Sequence, residues 1–263
     1  MTRTVQQLFD LTGKTALVTG GSRGLGLQMA YALGEAGARI MISSRKSEDL
    51  EQATAELQAA GIDARWIAAD CAKESEIHRL ADETLQRMGD VDILVNNAGA
   101  AWGAPAEDHP LDAWDKVMNL NVRGYFILSQ TIAKKSMIAR RSGRIINLAS
   151  IAGLGGNPEG MTTIAYNTSK GAVINFTRTL GAEWGKYNIT VNAICPGFFP
   201  SRMTQGTLAA MGEEKLAAHA PLKRLGDDED LKGLCVLYAS DAGKHITGQW
   251  LAVDGGVSVV SGG

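Results

Sequence analysis

Thr15-Ala16-Leu17-Val18-Thr19-Gly20-Gly21-Ser22-Arg23-Gly24-Leu25-Gly26 joins a short apolar and β-branched run to a glycine-rich turn, and apolar residues at helical spacing follow from Leu25 to Ala36. The stretch reads as strand, turn, helix. Its glycines permit positive φ and close approach of backbone to a pyrophosphate, while the following helix aims its amino terminus at the negative charge. The spacing is GxxxGxG rather than GxGxxG, and a glycine-rich turn alone is as often structural as functional. Its position between a strand and a helix favours a dinucleotide site built from Gly20, Ser22, Arg23, Gly24, Leu25 and Gly26.

Outward from this unit the pattern repeats. Runs suited to strands occur at Thr15 to Thr19, Arg39 to Ser44, Ala64 to Ala69, Ile93 to Asn96, Arg144 to Leu148, Thr190 to Ile194 and Trp250 to Val253. Helical spacing occupies Leu25 to Ala36, Leu50 to Ala60, Ile77 to Arg87, Trp114 to Ala139 and Ala172 to Trp184. Alternation of this kind predicts an α/β fold of Rossmann type, a doubly wound parallel seven-stranded sheet with helices on both faces. No linker-like stretch divides residues 1–263, so one domain is expected, with one or two short helices from Met203 to Ala220 forming a lid near residues 198–222. Open sheets of this type bind ligands outside the carboxyl ends of their strands. Asn97, Ala98 and Gly99 after the fourth strand, Ser150 after the fifth, and Pro196 and Gly197 after the sixth all fall there.

Composition narrows the partner. Hydrophobic residues make up 45% and charged residues 21% of the chain, and the net charge is −2. That mix supports a large core and gives no electrostatic reason to expect nucleic acid or an anionic membrane. No segment has the continuous apolarity of a transmembrane helix and the start lacks a signal-peptide pattern, so a cytoplasmic protein acting on a small molecule is expected. Cys71, Cys195 and Cys235 form no CxxC pair, and His78, His109, His219 and His245 show no ligand spacing, so no metal is assigned.

The second candidate strand ends Ser43-Ser44-Arg45-Lys46, without the acidic residue that commonly accepts a ribose 2'-hydroxyl. Arg45, Arg23 and Ser44 instead suit a 2'-phosphate, favouring NADP(H) over NAD(H); solvated Arg45 and Lys46 at a helix start are the alternative. Asp70, with Cys71 beside it, ends the third strand and either accepts from an adenine amino group or caps the next helix. Tyr166 and Lys170 stand one helical turn apart. A phenol is a weak acid with an unperturbed pKa of about 10, and a neighbouring ammonium stabilises its anion. Ser150, rather than Ser142, follows the apolar strand directly and completes a proton-handling set.

TGGSRGLG at Thr19 to Gly26, NNAG at Asn96 to Gly99, NLNVRG at Asn119 to Gly124, Ser150, YNTSK at Tyr166 to Lys170, CPG at Cys195 to Gly197 and TGQWLAVDGG from Thr247 follow one another in order. In this the chain resembles the short-chain dehydrogenase/reductase superfamily in its compact form. The resemblance implies a catalytic tetrad of Asn121, Ser150, Tyr166 and Lys170, with Asn121 preferred to Asn119 because it lies three residues before Gly124. Tyr166 would exchange the proton, Ser150 would hydrogen-bond the carbonyl oxygen, Lys170 would lower the tyrosine pKa and hold the ribose, and Asn121 would hold a relay water. The loop after Gly197 departs from the family pattern at Phe198-Phe199-Pro200-Ser201. Ser201 there stands in for a threonine hydroxyl and Phe199 offers its backbone to the carboxamide. Trp102, Met161, Phe198 and Met203, with Ser150, are the substrate candidates, and their apolarity favours a hydrophobic or acyl-bearing ketone. The chain is most similar to 3-oxoacyl-carrier-protein reductases, including the rhamnolipid branch, with polyol, sugar-acid or cyclic alcohol dehydrogenases of the gluconate 5-dehydrogenase kind as the alternative. A nucleotide sensor without catalysis is disfavoured by the intact Ser/Tyr/Lys set. The resemblance also implies a homo-oligomer, tetramer or dimer.

Overall fold

Alternation along the strands assigns the two faces of the sheet. In β1 (Thr15–Thr19) Ala16 and Val18 enter one core and Leu17 the other; in β2 (Arg39–Ser44) Ile40 and Ile42 oppose Met41 in the same way. This follows from the two-residue period of a strand, and the strands are buried because helices cover both faces. The computed structural model describes residues 2–260. Five further strands, β3 (Ala64–Ala68), β4 (Ile93–Asn96), β5 (Gly143–Leu148), β6 (Ile189–Pro196) and β7 (Trp250–Val253), complete a seven-stranded parallel sheet in the order β3-β2-β1-β4-β5-β6-β7. The order in which successive strands are added to the sheet reverses between β1 and β4, where Ala16 pairs with Ile93 and Val18 with Val95. All seven predicted strands are present, and β6 runs on to include Cys195 and Pro196.

The helices are α1 (Val5–Phe9), α2 (Gly24–Glu35), α3 (Ser47–Ala59), α4 (Glu74–Met88), α5 (Leu111–Met118), α6 (Gly124–Ile132), α7 (Ile138–Arg140), α8 (Ile164–Trp184), α9 (Gln205–Met211), α10 (Glu213–His219) and α11 (Lys232–Ala239). One face packs α2, α3 and α11 on the sheet through Met29, Leu33, Leu57 and Cys235. The other carries α4, α6 and α8 through Leu80, Leu128 and Leu180. The segment predicted as one helix from Trp114 to Ala139 is continuous from α5 to α7, but two π-helical turns interrupt it at Asn119–Arg123 and Ala133–Met137. The first places Asn121 against the sheet end, and Gly124 follows because a Cβ there would stand 2.4 Å from the Cys71 carbonyl oxygen. Helices α1 and α11 were not predicted; α8 takes in the expected apolar run Ala172 to Trp184 and begins at Ile164, so that Tyr166 and Lys170, expected on one helix, lie in its first two turns. Among the described residues no helix is long and apolar enough to cross a membrane.

Candidate active site

Two strand-end turns build the nucleotide half of the site at the switch point. Asn97 Nδ2 donates to the carbonyls of Thr19 (2.9 Å) and Gly20 (3.2 Å), and the Thr19 hydroxyl accepts from the amides of Asn97 and Ala98. The glycine turn is thereby locked to the turn after β4. Gly26 packs so tightly that a Cβ on it would sit 2.2 Å from the Gly20 carbonyl oxygen. No side chain caps the amino terminus of α2, which leaves its first amides available to an anion.

A cleft of about 510 Å³ opens from this cradle, lined by Gly20, Ser22 to Gly26, Ser44, Arg45, Cys71, Asn97 to Gly99, Ser150, Tyr166, Lys170, Pro196, Gly197, Phe199 and Ser201 to Thr204. Arg45 is exposed at the end of β2 and has no ion pair among the described residues, whereas Arg23 is held by Asp49 at 3.1 Å. The uncapped amides, the free guanidinium and the elongated cleft fit a dinucleotide carrying an extra phosphate.

At the far end of the cleft Lys170 is 3% exposed, and its Nζ donates to the Leu148 carbonyl at 2.6 Å. The Nζ stands 5.6 Å from the centre of the Tyr166 ring. Burial pushes the Lys170 ammonium down to about 8. The Tyr166 phenol is pushed above its ordinary value by burial, with the Ser150 hydroxyl drawing it part of the way back. In the free protein burial is the largest of these effects on the phenol, and Nζ donates to the Leu148 carbonyl. Ser150 ends β5's exit turn, its hydroxyl accepting from the Ala152 amide at 3.1 Å.

Asn121 is fully buried beside Lys170: a Cβ on Gly99 would stand 3.4 Å from its Oδ1 and 3.8 Å from Lys170 Nζ. Its amide is committed to the Ala100 backbone in both directions, at 2.9 Å each, and to the Ser169 hydroxyl.

Some expected residues lie elsewhere. Asp70 does not line the cleft: its carboxylate accepts from the Ala72 amide at 3.1 Å in the turn before α4, and it does not cap that helix, whose N-cap is Lys73 without a side-chain bond. The Phe199 ring is core, and its carbonyl already accepts from the Thr204 hydroxyl at 2.6 Å, which also meets Ser201 Oγ at 2.9 Å. Of the substrate candidates Ser150 and Met203 line the cleft, while Trp102, Met161 and Phe198 do not. Trp102 and Met161 instead belong to two outer loops joined by the Ala104 amide donating to the Thr162 carbonyl at 2.8 Å. The second of these loops is clamped to α8, because Asn157, Thr163 and Asn167 form a closed ring of side-chain hydrogen bonds of 2.8 to 2.9 Å. Asp228, unnoticed in the sequence, reaches the cleft from a distant loop through a 2.6 Å bond from Gln28 Nε2. Among the described residues no group of His, Cys, Asp and Glu could hold a metal ion.

A doubly wound sheet with such a cleft at its switch point defines a class, the oxidoreductases that exchange hydride between a nicotinamide dinucleotide and a CH–OH or ketone group. The family model for short chain dehydrogenase matches residues 14–212, and the chain belongs to that family. It is 40% identical over 252 residues to the rhamnolipids biosynthesis 3-oxoacyl-[acyl-carrier-protein] reductase of Pseudomonas aeruginosa, covering 94% of this chain and 97% of that one. It is 35% identical over 253 residues to the gluconate 5-dehydrogenase of Gluconobacter oxydans, covering 96% and 97%. The structure of a gluconate 5-dehydrogenase from Burkholderia cenocepacia J2315 in complex with NADP and tartrate superposes with a TM-score of 0.92 at 34% identity, covering 98% of this chain and 100% of that one.

Proposed function

We propose that the protein is an NADP(H)-dependent reductase that converts a ketone, of the 3-ketoacyl or another hydrophobic class, to a secondary alcohol. The observation that carries this reading is one cleft lined both by Arg45, which has no ion pair among the described residues, and by Ser150, Tyr166 and Lys170. Arg45 and Ser44 would hold the 2'-phosphate, the α2 amino terminus the pyrophosphate, and Lys170 the nicotinamide ribose. When bound, the dinucleotide supplies the hydride. Ser150 and Tyr166 orient the carbonyl oxygen by hydrogen bonds. The raised pKa of Tyr166 keeps its proton in place at neutral pH, the form that donates to the alkoxide as it develops. The Lys170 charge then steadies the phenolate left behind.

An apolar side chain in the cleft wall supports a hydrophobic substrate: Met203 lines the cleft and is 49% exposed. Arg202, exposed in the cleft wall without an ion pair among the described residues, favours a second reading, an alcohol dehydrogenase for carboxylate-bearing polyols or sugar acids. A panel of 3-ketoacyl thioesters, cyclic ketones and sugar acids, each with NADPH or NADH, separates the two. Tyr166→Phe should bind NADPH as wild type does and lose most turnover; retained turnover would refute the assignment. The exposed Phe126 on α6 and Trp250 and Leu251 on the edge strand β7 support a homo-oligomer, which a solution mass measurement tests.

A further inference from the structure

Lys170 holds a charge where little offsets it. Its Nζ donates to one carbonyl, that of Leu148, and it pairs with no carboxylate among the described residues. An ammonium has three donors to place. Two aromatic rings approach it from different elements, Tyr166 of α8 at 5.6 Å and Tyr125 of α6 at 5.8 Å from their centroids. Tyr125 is 2% exposed, packs with Ala149, Val173 and Cys195, and its hydroxyl donates to the same Leu148 carbonyl at 3.4 Å. It follows Gly124 directly, at the point where that glycine brings α6 against the sheet end.

We propose that Tyr125 is a positioning residue for the reaction: its ring is the second wall of an aromatic box that keeps the Lys170 ammonium charged beside the catalytic phenol. The proposal rests on the reading of Ser150, Tyr166 and Lys170 as the proton-handling set. A carboxylate at this place would hold the ammonium by direct pairing and cancel the field that the phenolate needs. A π face attracts the cation without carrying a net charge, and does so more strongly once both are desolvated. The titratable groups facing Lys170 are Tyr166 on α8, Tyr125 on α6 and Cys195 on β6. Burial raises all three, Cys195 to about 11, so each is neutral at neutral pH and the ring faces supply the attraction.

The test is NMR titration of the Lys170 side-chain nitrogen in the free full-length protein, assigned with Lys170→Arg, for wild type, Tyr125→Phe, Tyr125→Leu and Tyr125→Met. The phenylalanine variant keeps the ring and should keep the Lys170 midpoint. Leucine and methionine remove the ring and should lower that midpoint by about 0.5 to 1.5 pH units, with the alkaline limb of ketone turnover moving by the same amount. A folded leucine or methionine variant with an unmoved Lys170 midpoint overturns the proposal, as does a phenylalanine variant that shifts as far as leucine. Loss of the proposed function would show separately, as retained turnover in Tyr166→Phe, and leaves the Lys170 midpoint untouched.

Discussion

Replacing Lys170 with methionine should stabilise the free protein at pH 7 while removing turnover. Burial lowers the Lys170 ammonium from 10.5 to about 8, so at pH 7 the folded chain carries a proton that it holds less tightly than the unfolded chain does. A difference of that size amounts to roughly 3 kcal/mol of destabilisation at pH 7. Methionine fills the same channel without a charge. It also leaves the Leu148 carbonyl with only the Tyr125 hydroxyl at 3.4 Å, a loss of about 1 kcal/mol. The net expectation is a gain of about 2 kcal/mol. Between about pH 8 and 10.5 the unfolded lysine binds more protons than the folded one, so the stability of the wild type from this group rises with pH and its deficit against the variant closes. Urea unfolding of both proteins at pH 7 and near pH 9.5 measures the difference, in which the titrations of the buried cysteines and tyrosines cancel. A variant less stable than wild type at pH 7, or a gap that does not narrow at the higher pH, refutes the reasoning.

Gly26→Ala places a methyl group 2.2 Å from the Gly20 carbonyl oxygen and 2.4 Å from Asn97 Nδ2, so the turn must open; NADPH affinity by fluorescence titration should fall about ten- to a hundredfold. Arg45→Ala should lower kcat/KM with NADPH by about ten- to a hundredfold and leave NADH nearly unchanged, and equal losses with both would remove the 2'-phosphate argument. Asn167→Ala opens the ring that clamps the loop of residues 154–163 to α8. It should raise the KM for ketone several-fold without altering NADPH binding, and Asn157→Ala/Asn167→Ala should be no worse than either single change because both break one network.

The parts of this molecule that were legible in its sequence are those where one physical constraint acts over a short stretch. Leu17 between Ala16 and Val18 reports two-sided burial by itself, and Gly20, Gly21 and Gly26 mark positions too crowded for a Cβ atom. Tyr166 and Lys170 share a helix, so their spacing already shows that they are neighbours. What escaped depends on partners far away in the chain. Asp228 enters the cleft only because Gln28, 200 residues earlier, holds it there. The π turn at Asn119–Arg123 carries no proline or glycine to mark it, and its polar Asn119, Asn121 and Arg123 did not by themselves show a change of helix type. Asp70 suggested an adenine partner or a helix cap, and its carboxylate instead closes a local turn with the Ala72 amide, as Asp side chains readily do two residues on. Tyr125 read as one more apolar position on a buried helix, although its ring faces an ammonium contributed from residue 170. The same distinction separates the two halves of the proposed function. Proton handling depends on α8, on the end of β5 and on the helix that backs them, elements whose placement follows from core packing. In that proposal substrate choice falls to the loops around the cleft, and the two outer ones are shaped by Ala104 meeting Thr162 and by the Asn157, Thr163 and Asn167 ring, contacts that no periodicity encodes. A protein of this family that kept the first set and changed the second would keep the hydride chemistry while changing the molecule that undergoes it, since function resides in sites grafted on a shared fold.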